Sequence, residues 1–296
     1  MLEILNPSLK KLTTLHLGGN AIAHLIIENQ KDVEEVFDRA EKLGGEIYPF
    51  GLGSNILADD GELPYVLVSL DLKKEIEILG EENGKIMVRA SADVSLPKLL
   101  RFCVKNELSG LESLVGIPGS VGGAVFMNAG SFGTEIGEKI EQIKIVTDKK
   151  IESISKESLD FSYRSLKIFE KKLKFIVFEA IFALTYVKRH DITKRMSHDF
   201  FEKKSRQPIT AWSAGCVFKN PAPDMTAGRL LDMAGLKGQE LGGMAFSNLH
   251  ANFLINKGHG TSSEAFQLIE MAKDKIVKDF GITLNPEVRI MLCHKG

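Results

Sequence analysis

Residues 116–137 read GIPGSVGGAVFMNAGSFGTEIG, and seven of these 22 positions are glycine, where 27 glycines in 296 residues would place about two. No charge appears in the stretch before Glu135. Backbone without side chains can turn tightly and bring its N–H groups up to a bulky anionic ligand. The stretch is too long for one turn and too ordered in composition for a linker. Two readings remain: the wall of a cofactor site that holds phosphates on main-chain amides, or a glycine-rich structural connection. A second glycine loop, GLGSN at 51–55, offers either an anion nest or an ordinary turn. Cys103, Cys216 and Cys293 are odd in number and match no metal spacing, so neither a disulfide framework nor a metal site is expected. Cys103 shares helical spacing with Leu96, Leu99 and Leu100 and reads as core, and Cys293 as incidental. Cys216 lies in SAGCVFKNP, among small and polar residues.

The elements that must position these loops are legible from periodicity. A strand over 22–27, a helix over 32–43 stopped by Gly44-Gly45, and a strand over 46–50 lead straight into GLGSN. Ligands in α/β folds bind at the carboxyl ends of strands. The loop nevertheless follows the second strand, and no GxGxxG opens a helix, so the usual dinucleotide fold is a poor match. A buried strand over 65–70 and a hairpin of 75–79 with 85–91 across Asn83-Gly84 come next. A helix starts near Ser95 with Pro97 in its first turn. Strands over 140–147 and 175–184 complete a mixed α/β body. Beyond 186–192 the pattern predicts a helix over 192–205 with Ile192, Met196 and Phe200 inward, a helix over 226–235 and a strand over 252–256. Thr261 and Glu264 form a capping box for a helix that stops at Gly281, and NPEVRIML alternates as a strand should.

Composition narrows the partners. An apolar fraction of 44% and a charged fraction of 26% are those of an ordinary globular chain, long enough for two or three domains. A net charge of −1 with no basic stripe argues against nucleic acid, and Lys171, Lys172 and Lys174 read as solvated surface. The longest uncharged run, 113–134, holds glycines, Pro118 and Asn128, which argue against a membrane span. No apolar stretch follows the charges of MLEILNPSLKKL, so the expected compartment is the cytoplasm.

Eight motifs occur in order: LGGNA (17–21), GLGSN (51–55), GIPGSVGGAVFMNAG (116–130), FSYRS (161–165), SAGCVFKNP (213–221), AGLKG (234–238), HANFLIN (250–256) and NPEVR (285–289). Each is weak alone. The ordered set resembles the UDP-N-acetylenolpyruvoylglucosamine reductase family over nearly the whole chain, in the shorter subtype that lacks a substrate-covering insertion. The resemblance implies an α+β fold: an FAD-binding domain of the vanillyl-alcohol-oxidase (PCMH) type made of two α/β subdomains, 1–70 and 71–188, then a smaller α/β substrate-binding domain, 189–284. A C-terminal strand, 285–296, is expected to return toward the FAD domain. It also implies non-covalent FAD, NADPH as co-substrate, a sugar-nucleotide substrate, a monomer, and reduction of UDP-N-acetylglucosamine enolpyruvate to UDP-N-acetylmuramate for peptidoglycan synthesis. Another non-covalent FAD oxidoreductase, or a non-catalytic flavin-binding protein, are the alternatives.

Within that resemblance, Gly51, Leu52, Gly53, Ser54 and Asn55 are expected at the FAD diphosphate. Gly119, Ser120, Gly122, Gly123, Asn128, Ala129 and Gly130 are expected along the isoalloxazine and ribityl portion, with Gly122 and Gly123 partly for close packing. Hydride delivery to the vinyl carbon leaves carbanionic density delocalised into the substrate carboxylate, which needs a fixed electrophile and a proton. Arg164 matches the electrophile, since a guanidinium stays charged and directs hydrogen bonds to a carboxylate. Glu287 matches a second stabilising group, a role that requires its carboxyl to carry or share a proton. Cys216 departs from the family, which has serine as proton donor at this position. A thiol, with an ordinary pKa of about 8.5, is mostly protonated at neutral pH and can do the same work; loss of activity is the competing interpretation. Tyr163, Lys219, Asn220, His250 and Asn252 are expected to contact substrate. Arg206 and Arg229 could neutralise phosphate or lie on the surface.

Overall fold

In a computed structural model, which describes residues 1–147, 150–169 and 175–293, the chain divides into two compact units. The first comprises Met1–Ile4, Ala23–Leu52 and Val66–Glu202; the second comprises Leu5–Ile22, Gly53–Tyr65 and Lys203–Gly296. Lys171, Lys172 and Lys174 lie outside the described residues.

The first unit is built on two sheets. It holds the larger part of a four-stranded sheet in the order Leu2–Leu5, Asn20–Ile27, Glu62–Leu70, Glu46–Pro49. The helix Asp32–Leu43 lies in this unit and ends at Gly44, whose φ of 73° supplies the left-handed cap. The second sheet runs Lys150–Ser155, Ile140–Thr147, Ile176–Tyr186, Lys85–Ser91, Ile76–Glu82, with all neighbours antiparallel. Its 76–82/85–91 hairpin turns through Asn83 and Gly84, both at positive φ, as a two-residue turn of this composition requires. The helix Leu96–Lys105 starts at Ser95, whose side chain accepts from Lys98 N. Leu96, Leu99, Leu100 and Cys103 face one core with Val88, Val121, Ile143 and Phe182.

The second unit carries an antiparallel sheet in the order Trp212–Cys216, Phe253–Asn256, Met244–Phe246, Glu240–Leu241. The helices Ala227–Met233 and Ser262–Phe280 share a core with it through Leu230, Leu231, Leu254, Leu268 and Ile269. Thr261 and Glu264 form the reciprocal capping box, and Gly281 ends the long helix at φ 68°. The C-terminal strand is shorter than its alternation suggests. It is Arg289–Met291, paired in parallel with Ile56–Ala58, and Pro286 makes an isolated antiparallel bridge with Phe218.

Two expectations change. The boundaries at 70, 188 and 284 give way to an interleaved division. Thr14 Oγ1 donates to Ser213 O (2.7 Å), Asn256 Nδ2 to Leu15 O (3.0 Å), and 56–58 pairs with 289–291, which ties 5–22 and 53–65 to the C-terminal third. Most of the helix Arg189–Arg206 belongs to the first unit, and Phe200, expected inward on it, is 40% exposed.

Candidate active site

In the first unit the glycine-rich segment curls around the helix Val121–Phe126. Ser120 caps that helix, accepting from Gly123 N at 3.3 Å, and is itself buried. Gly119 O accepts from Leu96 N (2.9 Å), which fastens the segment to the neighbouring helix start. Gly122 must be glycine for packing, since a Cβ there would stand 2.7 Å from Ala92 Cβ, whereas Gly123 has room. Gly51 is exposed, and a Cβ on it would come within 3.1 Å of Ser120 Oγ. The two loops therefore meet where the bare backbone of Gly51 lies against the Ser120 side chain, beside exposed Leu52.

Asn128 corrects an expectation. It is 0% exposed, and its side chain is committed inside the protein. Nδ2 donates to Glu135 Oε2 (2.6 Å) and Ser162 O (3.0 Å), while Oδ1 accepts from Gly137 N (3.1 Å). With three partners inside the fold it fastens the loop to the hairpin Leu159–Ser162/Ser165–Ile168 rather than lining a ligand surface. Ala129, half-buried, passes its carbonyl to Ile136 N. Arg164 sits at the tip of that hairpin with φ 55°, a conformation rare for a non-glycine residue. Its Nη2 donates to Gly130 O at 3.2 Å, and its guanidinium carbon lies 5.0 Å from the Tyr163 ring centre. Gly130 makes the space: a Cβ there would sit 3.4 Å from Arg164 Nη1. Glu135, the first charge of the stretch, secures Asn128, a role that no motif in the sequence signals.

In the second unit, Gly53 is buried at φ 65°, and a Cβ on it would lie 2.2 Å from Leu12 O. Its glycine is required by backbone packing. Ser54 is half-buried, and Asn55 Nδ2 donates to Glu287 O at 3.3 Å while Asn55 O accepts from Arg289 N at 2.9 Å.

Cys216 ends the strand Trp212–Cys216 just after a β-bulge. Ser213 pairs with Ile255 but Cys216 with Phe253, so one residue is extra on this strand. Gly215 takes it up at φ 81°, its N–H donating to Ser213 Oγ at 3.1 Å. A bulge of this kind re-aims the next side chain. The following residues run antiparallel to 285–287: Glu287 N donates to Val217 O (2.7 Å) and Lys219 N to Asn285 O (2.9 Å). Cys216 and Glu287, each half-buried, are thus brought onto adjoining backbone.

Lys219 is half-buried and Asn220 exposed, with Asn220 Oδ1 accepting from Ala227 N at 3.0 Å. Arg206 and Arg229 are exposed. His250 Nδ1 accepts from Asn252 N (3.2 Å), which leaves Nε2 to carry the proton of the neutral ring. Burial, then the charge of Lys237, hold this histidine below its ordinary pKa. Asn252 is 2% exposed, and both atoms of its amide bond the backbone of Phe218, at 2.9 and 2.8 Å, so it serves the loop and not a ligand surface.

A family model of the UDP-N-acetylenolpyruvoylglucosamine reductase C-terminal domain matches residues 207–291, and one of an FAD binding domain matches residues 21–150. The UDP-N-acetylenolpyruvoylglucosamine reductase of Nitratidesulfovibrio vulgaris is 44% identical over 98% of this chain and 99% of its own length. The chain belongs to the UDP-N-acetylenolpyruvoylglucosamine reductase family. The reductase of that name from Aquifex aeolicus is 36% identical over 98% of this chain and 96% of its own length. The crystal structure of the Thermus caldophilus reductase covers 98% of each chain at 30% identity with a TM-score of 0.82. The fold is accordingly an FAD-binding domain followed by the reductase C-terminal domain. FAD suits the residues present: side-chain-free backbone at Gly51 beside the capped turn at Ser120 leaves a cradle that a Cβ would begin to fill. Among the described residues no group of three or more His, Cys, Asp or Glu could hold a metal ion, and no helix is long and apolar enough to cross a membrane.

Proposed function

We propose that this reductase converts UDP-N-acetylglucosamine enolpyruvate to UDP-N-acetylmuramate with Cys216 as the proton donor, in the cytoplasm and as a monomer. Bound FAD, reduced by NADPH, supplies the hydride that reaches the vinyl carbon. Gly51–Asn55 and the turn at Gly119–Ser120 hold the cofactor by main-chain amides. Arg164 meets the substrate carboxylate, where charge develops as the neighbouring carbon becomes carbanionic. Its Gly130 and Tyr163 contacts hold the guanidinium in place before that charge arrives. Cys216 gives its S–H proton to the carbanionic carbon: the C–H bond forms, the S–H bond breaks, and the thiolate regains a proton from solvent. Glu287 supports the same charge while it carries or shares a proton. Lys219 and the Nε2–H of His250 serve the polar substrate.

The observation that supports this reading is the bulge at Gly215, which puts Cys216 on backbone adjoining the segment that bears Glu287, where relatives are expected to carry serine. Anaerobic stopped-flow tests it. NADPH bleaches the flavin absorbance and the enolpyruvyl substrate restores it. Cys216→Ala leaves bleaching intact and slows recovery by about 10²–10⁴-fold, and Cys216→Ser regains much of that loss. Recovery of the alanine variant at the parent rate sinks the assignment.

A further inference from the structure

Backbone groups beside Cys216 account for themselves completely. From Val217 N to Lys219 N there are five, and each has a partner. Val217 N donates to Asn252 O (2.8 Å), and Val217 O accepts from Glu287 N (2.7 Å). Phe218 N donates to Asn252 Oδ1 (2.9 Å), and Phe218 O accepts from Asn252 Nδ2 (2.8 Å). Lys219 N donates to Asn285 O (2.9 Å). Asn252 alone supplies three of the five partners, and the other two come from the segment that carries Glu287. Buried backbone polar groups are normally paired, but a lone side chain that closes both the N–H and the C=O of one residue is a specific device. It sits at the 2%-exposed heart of the unit, where these bonds meet little competition from water. The device is anchored in turn, since Asn252 N donates to His250 Nδ1 and His250 O accepts from Phe253 N (3.0 Å).

We infer that Asn252 is a positioning residue for proton transfer: it locks Val217–Phe218, and through them sets the thiol of Cys216 against Glu287. This rests on the role of Cys216 given above. The bulge at left-handed Gly215 interrupts the ladder just before the thiol, and misplacement by about 1 Å can cost about 10²-fold in rate. On this inference the lock acts on proton transfer and not on cofactor reduction or substrate binding.

The test uses holoenzyme with Asn252→Ala and the milder Asn252→Asp, which keeps the acceptor for Phe218 N but loses the donor to Phe218 O. Rates are taken per bound flavin, so that loss of folded protein does not count. Expected are NADPH bleaching within about twofold of parent, substrate Kd within about threefold, and substrate-driven recovery slower by about 10²-fold in the alanine variant and by about tenfold in the aspartate variant. Amide hydrogen exchange in a peptide spanning 212–220 should quicken in both variants, with or without substrate. The second arm repeats Asn252→Asp in a Cys216→Ala background, where the further slowing should vanish because the two residues act as one unit. If Cys216→Ala by itself slows nothing, the proton-donor reading fails. If it slows recovery but Asn252→Asp adds its full effect on top, the positioning inference alone fails. A rise in Kd with unchanged recovery makes Asn252 a substrate ligand and also overturns it.

Discussion

The three thiols of this chain sit in three different environments. Cys103 is 3% exposed, and burial, with the Glu112 carboxylate adding to it, pushes its thiol up to about 12. Cys293 is half-buried and also raised, first by burial and then by the neighbouring Asp59 charge. Cys216 is half-buried at the end of its bulged strand. Only the thiolate reacts with an alkylating agent, so reactivity follows its population and its access. Iodoacetamide at about pH 7 should therefore modify Cys216 first, with activity lost in step, and substrate should protect it. Mass mapping of the modified peptides checks this, and first labelling at Cys103 would contradict the structure. At this scale the sequence is a good guide to which residues matter and a poor one to what they do. Cys216, Arg164 and Glu287 stand out by motif, but Asn128 and Asn252 look like ligand contacts until their partners are seen. A polar side chain reads the same whether it faces solvent or closes on backbone 34 residues away.

Elements set by local chemistry were legible and those set by distant partners were not. The Thr261–Glu264 box, the Ser95 cap and the Asn83-Gly84 turn each need only neighbours in sequence, and each stands where the pattern predicts. The bulge in Trp212–Cys216 is different. It exists only as a count against Phe253–Asn256, nearly 40 residues on, and no periodicity within one strand reveals it. The same holds for the interleaving of 5–22 and 53–65 with the C-terminal third. Gly215 and Gly281 give a controlled test of what the bulge is for. Both hold left-handed backbone, at φ 81° and 68°, and a Cβ on either meets nothing within 4 Å. Alanine at each should thus cost about the same stability, roughly 1–2 kcal/mol of backbone strain without a clash. Only Gly215→Ala should also slow substrate-driven flavin recovery, by about tenfold or more, because relaxing that strain re-aims Cys216. Urea melts beside stopped-flow traces decide it. Equal rates in the two variants would mean that the bulge is merely structural.

Among the described residues, each compact unit holds one histidine, at least half-buried, whose ring is held below its ordinary pKa. In the first, His24 is depressed by burial, with Nε2 2.7 Å from Ser69 Oγ and the Phe50 ring packed edge-on at 5.8 Å. In the second, His250 is depressed by burial and then by Lys237, and its Nδ1 already accepts from Asn252 N. Both rings stay neutral in the folded chain at a pH where the unfolded chain takes up protons. The unfolded state thus binds more protons between the lowered folded values and the free value of about 6.5, and stability rises with pH across that window. Above about 6.5 the contribution is full; as pH falls through that value and on through the folded values it is lost. The holoenzyme's Tm should accordingly fall between about pH 7 and pH 5, before carboxylates titrate in bulk. His24→Gln keeps a polar group for Ser69 and cannot be protonated, so it should flatten part of that slope and leave the remainder to His250. Protonating His250 has a second consequence, because its Nδ1 can then no longer accept from Asn252 N, and the lock on Phe218 loses its anchor. Substrate-driven recovery in the His24→Gln enzyme should therefore still decline on acidification although its unfolding has become less sensitive. A Tm that does not change from about pH 7 to pH 5 in the parent would show that neither buried ring is coupled to folding.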